Sequence, residues 1–237
     1  MRSGVVSAGP AFVLMVLLAS VLGGCAEQPV SETTAAELER MAVAGDWNSI
    51  AVTDVNCTSQ TETCAKVHAT KGDGCLRLAI QQPQSASAQD SRMHELLDCA
   101  EQGYRNALAR QPSKTAPSRI SYHGGLLLTL SERRNRLDNV RVNKQDRENE
   151  KLLMAAQDAR REVPDSALGF LYGASAHVYR ATLKPRGRDR CNDLRQAESL
   201  LRRSPPPPEE LAAEQERIRA LTQRQLHENA CPRIIRR

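Results

Sequence analysis

Aromatic residues are scarce: two Phe, four Tyr and one Trp, 3% of 237 residues. Rings cannot fill a core at that level, so the interior must come from Leu, Ala, Val and Met, which suits helices packed closely over small side chains. Beyond residues 11–22 there is no long apolar run, and that one falls short of the roughly 20 residues a membrane-spanning helix needs. An excess of one charge is also missing. The 33 Lys and Arg are interspersed with 28 Asp and Glu, leaving +5, which describes a solvated surface and argues against nucleic-acid binding. There is no Gly-x-Ser-x-Gly elbow, no phosphate-binding loop and no Cys-x-x-Cys pair, so the motif-borne hydrolase, nucleotide and redox chemistries lack their signatures. No cofactor or enzymatic activity is expected.

What is present begins at the N-terminus. A single basic residue, Arg2, precedes the apolar run 11–22, which closes on Leu22, Gly23, Gly24 and Cys25. Charged start, short apolar stretch and small residues before a cut form the secretory pattern. The small-small-Cys ending resembles the lipobox of bacterial lipoproteins. That resemblance implies cleavage of residues 1–24, a thioether-linked diacylglycerol on Cys25 and an acylated amine. It makes residues 25–31 a tether. Ala26 stands where an aspartate would resemble the inner-membrane retention signal, so the resemblance places the chain on the outer membrane, facing the periplasm. Each buried methylene contributes about 0.8 kcal/mol, so two or three acyl chains suffice as an anchor without a spanning helix.

Lipidation of Cys25 leaves Cys57, Cys64, Cys75, Cys99, Cys191 and Cys231, an even set that suits three disulfides in an oxidising compartment. Cys75 and Cys99 flank the Pro, Ser and Gln linker 83–88 on what read as neighbouring antiparallel helices, and pair first. Cys57 and Cys64 can close a local loop if one lies outside a helix, because seven helical residues span about 10 Å, beyond bridging distance. Cys191 and Cys231 then pair by elimination. The zinc alternative, from Cys64 with His68, His227 with Cys231 and His94 with Cys99, is disfavoured because exported thiols oxidise and Pro232 follows Cys231.

Helical patterns fill the rest. Ser31 caps a helix that Gly45 stops; Asp46 caps a short second helix over 47–52. Lys71, Gly72 and Asp73 mirror Ala44, Gly45 and Asp46, which predicts a second Gly-Asp turn and a weak internal repeat. Further helices are expected over 90–110, 118–130, 165–183 and 209–228. The segment 132–151, almost entirely charged or amide, reads as an exposed extension, and 204–208 as a polyproline turn.

Ala100, Tyr104, Ala107 and Pro112 carry the spacing that resembles the second helix of a tetratricopeptide repeat. The offsets recur at Leu152, Ala156, Ala159, Pro164 and at Asp193, Ala197, Leu200, Pro205. The expected fold is therefore all-α, antiparallel helical hairpins in an irregular tetratricopeptide-like array over residues 32–229, with a tail at 230–237. Small residues let the second helix approach its partner, and proline ends it. An irregular α bundle would give the same pattern.

For binding, the stripe Tyr172, Ala176 and Tyr179, near Phe170, is the candidate, with Arg119, Tyr122 and His123 expected on the same concave face. The competing reading is plain interhelical core. The resemblance to tetratricopeptide lipoproteins implies an envelope adaptor that binds a protein partner. The alternative is a solute-handling accessory resembling the helical T component of tripartite periplasmic transporters, which needs an enclosed pocket lined by Phe170 and Tyr172.

Overall fold

The computed structural model describes residues 32–82, 91–137 and 142–231, all helix and connection among them. The leader, Cys25, the tether, Ser31, the linker 83–88 and the tail beyond Cys231 lie outside the described residues.

The chain enters as α1 (Glu32–Ala44) and α2 (Trp47–Val52). Gly45 holds the left-handed φ of +71° that ends α1. Its N–H donates to the Ala42 carbonyl at 3.1 Å and that of Asp46 to Met41 at 2.9 Å, the pairing that satisfies the last carbonyls of a helix. Asp46 then accepts from the Ser49 amide at 3.1 Å, capping α2. One residue pair thus closes one helix and opens the next, as its sequence predicts.

The second Gly-Asp pair behaves otherwise. A single helix, α3 (Glu62–Gln81), runs straight through Lys71, Gly72 and Asp73, so the predicted turn and repeat are absent. Here glycine serves proximity. A Cβ on Gly103 of α4 (Ser91–Arg110) would stand 2.8 Å from the Gly72 Cα and N and 2.9 Å from the His68 carbonyl oxygen. The two backbones touch at this crossing, which a side chain on Gly103 would forbid.

The array continues as α5 (Ser118–Arg136), α6 (Val142–Glu162), α7 (Leu168–Thr182), α8 (Arg188–Arg203) and α9 (Glu209–Glu228). Each helix from α3 onward packs on the next, and α9 also reaches α7. The principal core joins α3 to α7 through residues such as Leu97, Leu127, Leu130 and Leu152. Smaller clusters seat α1 and α2 on α3 around Leu38 and Ile50, and α9 on α7 and α8 around Leu171 and Ile218.

The three spaced patterns mark buried faces. Ala100, Tyr104 and Ala107, then Leu152, Ala156 and Ala159, then Asp193, Ala197 and Leu200 are all buried. Tyr104 fills the joint of α3, α4 and α5. Its ring occupies the space a Cβ on Gly125 would need, and its hydroxyl donates to Asp73 at 2.6 Å. Burial and the Asp73 carboxylate raise the Tyr104 pKa well above that of a free phenol, so it stays a donor.

The segment 132–151 corrects a second expectation. Residues 132–136 and 142–151 are helical, the end of α5 and the start of α6, and Arg133, Arg134, Leu137, Gln145 and Asn149 within the segment are buried. Arg133, 7% exposed, lies 2.8 Å from both Asp98 and Glu101 and 3.8 Å from Glu148. The charges pair across α4, α5 and α6, which local composition alone does not reveal.

Candidate functional site

The six cysteines form three disulfides: Cys57 with Cys64, Cys75 with Cys99, and Cys191 with Cys231. Cys57 precedes α3 while Cys64 lies in its first turn, so their Cα atoms stand 5.7 Å apart, within bridging distance. The second bridge ties α3 to α4. The third fastens Cys231, three residues past α9, to the first turn of α8, and the Cys231 carbonyl also accepts from Arg195 at 3.1 Å. The thiols weighed as zinc ligands, at Cys64, Cys99 and Cys231, are consumed by these bridges.

The residues expected on a common binding face are separated. Arg119, Tyr122 and His123 are buried. Arg119 donates to the Leu108 carbonyl of α4 at 3.1 Å and to Glu162 of α6. The ring of His123 meets the same Glu162 oxygen at 3.0 Å. Burial alone would raise the Glu162 carboxyl, but hydrogen bonds from Arg119 and His123 bring it below its ordinary value. Tyr122 packs against Ala65, Ala69 and Ala107. These three therefore hold α5 to its neighbours and are not presented on an open face.

The α7 stripe is interhelical as well. Ala176 is fully buried, and Tyr172 packs half-buried against the principal core, where burial pushes its phenol up to about 12. Phe170 joins a different cluster, with Leu171, Leu200 and Ile218. The Tyr179 hydroxyl donates to Gln145 of α6 at 2.8 Å, and the Arg134 guanidinium sits 4.9 Å from the centre of its ring. Two apolar clusters and a polar contact divide what the sequence reads as one stripe.

Arg134 heads a buried polar network that sequence reasoning missed. It donates to Asn149 at 3.1 Å and to Ser175 at 3.3 Å, and Asn149 donates onward to the Ala176 carbonyl at 3.1 Å. Burial lowers the Arg134 pKa to about 10, still fully charged at neutral pH. Asp193 anchors a second network between α7 and α8. It accepts from Arg180 at 2.6 Å and from Lys184 at 2.6 Å, and meets the His177 ring at 3.1 Å. Burial opposes its charge, but those three donors outweigh it and hold the Asp193 carboxyl below the usual range. The signal was present: a carboxylate stands in the small-residue position of the third spaced pattern, where it needs buried partners.

His68 joins the buried His123 and the partly buried His177, its Nε2 lying 2.8 Å from the Cys57 carbonyl. Burial lowers the pKa of His68, His123 and His177 alike, so all three are neutral at pH 7. Each is committed to a contact between segments.

Among the described residues, four clefts open elsewhere. One of about 610 Å³ lies beside the Cys75–Cys99 bridge, with Ala51, Val52 and Leu78 in its wall. A second, about 490 Å³, lies over the Arg133 cluster and is edged by Lys144, Arg147 and Lys151. The other two, about 530 and 830 Å³, meet at Glu198, Arg202 and Gln223 along the seam of α8 and α9. No group of three or more His, Cys, Asp or Glu side chains suited to a metal occurs among the described residues, and no described helix is long and apolar enough to cross a membrane. A scan against protein-family models and searches of curated proteins and of solved structures find no match to this chain.

Proposed function

We propose that this chain is a lipid-anchored adaptor of the bacterial cell envelope: exported, cut before Cys25, and carrying a diacylglycerol thioether and an N-acyl chain on that residue. The acyl chains hold it on the outer membrane, and the helical array faces the periplasm to bind a protein partner. The observation that carries the reading is the cysteine pairing. All six cysteines of the array are joined in pairs, which fits an oxidising compartment. Cys25 is left over, in the position where the leader motif would modify it.

Binding is favoured over catalysis because His68, His123 and His177 are tied to a backbone carbonyl or a carboxylate within the fold. Partner binding is favoured over solute handling because Phe170 and Tyr172 are packed into separate aliphatic clusters and do not wall a common chamber. Intact-mass analysis of protein extracted from bacterial envelopes tests the anchor. The expected species begins at Cys25 and carries two or three acyl chains, and Cys25→Ala releases the array into the aqueous fraction. A mature species with the leader attached and no acyl mass refutes the proposal.

A further inference from the structure

We infer that the open seam between α8 and α9 is a docking groove for an extended, acidic segment of a protein partner. This rests on the adaptor reading and deepens it by naming the surface and the chemistry it accepts.

The groove is built from the two clefts that meet at Glu198, Arg202 and Gln223. It runs from the Cys191–Cys231 bridge to the polyproline connection at Pro205, Pro206 and Pro207. With helical rise that is about 20 Å, room for about six residues of extended chain. Both ends are fixed. The disulfide pins one, and at the other Ser204 accepts from the buried Gln215 at 3.1 Å, locking the connection to α9. Leu201 and Leu226 form an apolar floor, and the exposed amides of Gln196 and Gln223 offer the paired donor and acceptor a peptide backbone needs.

Charge selects the occupant. Arg195, Arg202 and Arg219 line the groove with His227, against the single carboxylate Glu198. Glu198 is already engaged by Arg195 at 3.1 Å, and Arg219 leans on Glu216 at 2.8 Å. Arg202 is exposed and has no ion-pair partner among the described residues, so the groove holds spare positive charge. A planar anionic membrane cannot follow a concave seam, and α1, next to the tether, lies at the opposite end of the packing order from α9. An acidic peptide strand meets both shape and sign.

The test uses the full mature chain in detergent and a fluorescein-labelled hexapeptide, Glu-Pro-Glu-Pro-Glu-Ala, followed by anisotropy. Pro keeps the probe extended. Wild type should bind it with a salt-dependent affinity, and Arg202→Glu combined with Arg219→Glu should weaken binding by about tenfold or more. The reversed groove should accept the Lys-for-Glu hexapeptide. Lys144→Glu with Arg147→Glu, an exposed pair on α6, should change nothing, and melting temperatures confirm that all variants fold. Equal loss in the α6 control, or no binding by wild type at millimolar peptide, overturns the groove. So does loss of binding to phosphatidylglycerol vesicles by the groove variant with hexapeptide binding intact. Crosslinking in intact envelopes separates the two levels. If the groove variant keeps the wild-type partner, the groove is wrong and the adaptor stands; if wild type captures no partner, the adaptor reading itself falls.

Discussion

Gly103→Ala sets two known effects against each other at one atom. In a helix interior alanine is favoured over glycine by about 1 kcal/mol, so a free site would gain stability. At Gly103 the new Cβ would sit 2.8 Å from the Gly72 Cα and N and 2.9 Å from the His68 carbonyl oxygen. None of these is the end of a flexible side chain. Ordinary contact needs about 3.5 Å or more, so α3 and α4 must part by over half an ångström along a close-packed seam. Overpacking of this kind costs about 1–3 kcal/mol and sometimes more. The Cys75–Cys99 bridge joins the same two helices and limits their freedom to slide. With the bridge holding the overpacking cost at about 2–3 kcal/mol, the net expectation is a loss of about 1–2 kcal/mol, or about 2–8 °C in melting temperature for a domain of this size. The neighbouring Gly72→Ala provides the contrast. Its Cβ would meet the Tyr104 ring at 3.3 Å and the Ala100 carbonyl oxygen at 3.4 Å, contacts that ask the neighbours to give by only a few tenths of an ångström. Thermal unfolding followed at 222 nm, disulfides intact, gives both numbers. If Gly103→Ala melts at or above the wild-type temperature, the backbone contact between α3 and α4 is not as described.

Three other measurements bear on the fold. His68, His123 and His177 have pKa values lowered by burial, so the folded state favours their neutral forms. Below the ordinary histidine value of about 6.5 the unfolded chain takes up more protons, and stability falls until the folded values are passed. Urea midpoints should therefore drop between pH 7 and pH 5, and His68→Gln should flatten that drop; a midpoint level across this range contradicts the burial. Asn149→Ala removes an acceptor from the charged, buried Arg134 and the side-chain donor that reaches the Ala176 carbonyl beside its helical partner, a loss of about 2–3 kcal/mol in urea unfolding. Cys191→Ser with Cys231→Ser opens a loop spanning a sequence separation of 40, worth about 4 kcal/mol by loop entropy. Hydrogen exchange should rise first in α9, and uniform acceleration along the chain would deny the staple its local role.

The helical plan was largely legible in the sequence because its signals are local. Gly45, Asp46, Pro112 and the proline run before α9 act through their own backbone geometry. The spaced patterns ending at Ala107, Ala159 and Leu200 mark their buried faces through period alone. What escaped depends on distant partners. Gly72 looks like Gly45 in sequence, but its role is set by Gly103 on another helix. Arg133, Arg134 and Asn149 read as solvent-facing because their partners on α4 and α7 are not visible in a local window. Tyr172 and Tyr179 share a face of α7, yet different neighbours claim them, so a common binding stripe could be drawn from spacing but not formed in the fold. The groove of α8 and α9 had no sequence motif to announce it, since its arginines sit among as many ordinary surface charges.

The three cross-links divide the chain unevenly. Two fall between Cys57 and Cys99, the third joins Cys191 to Cys231, and none spans the stretch between Cys99 and Cys191. A single protease cut anywhere in that stretch would therefore release two covalently independent pieces on a non-reducing gel, while the native particle stayed whole through helix packing, which for a cut between α5 and α6 means the contacts of α5 with α6 and α7 and the shared core. The joint between those halves is the fold's fracture line.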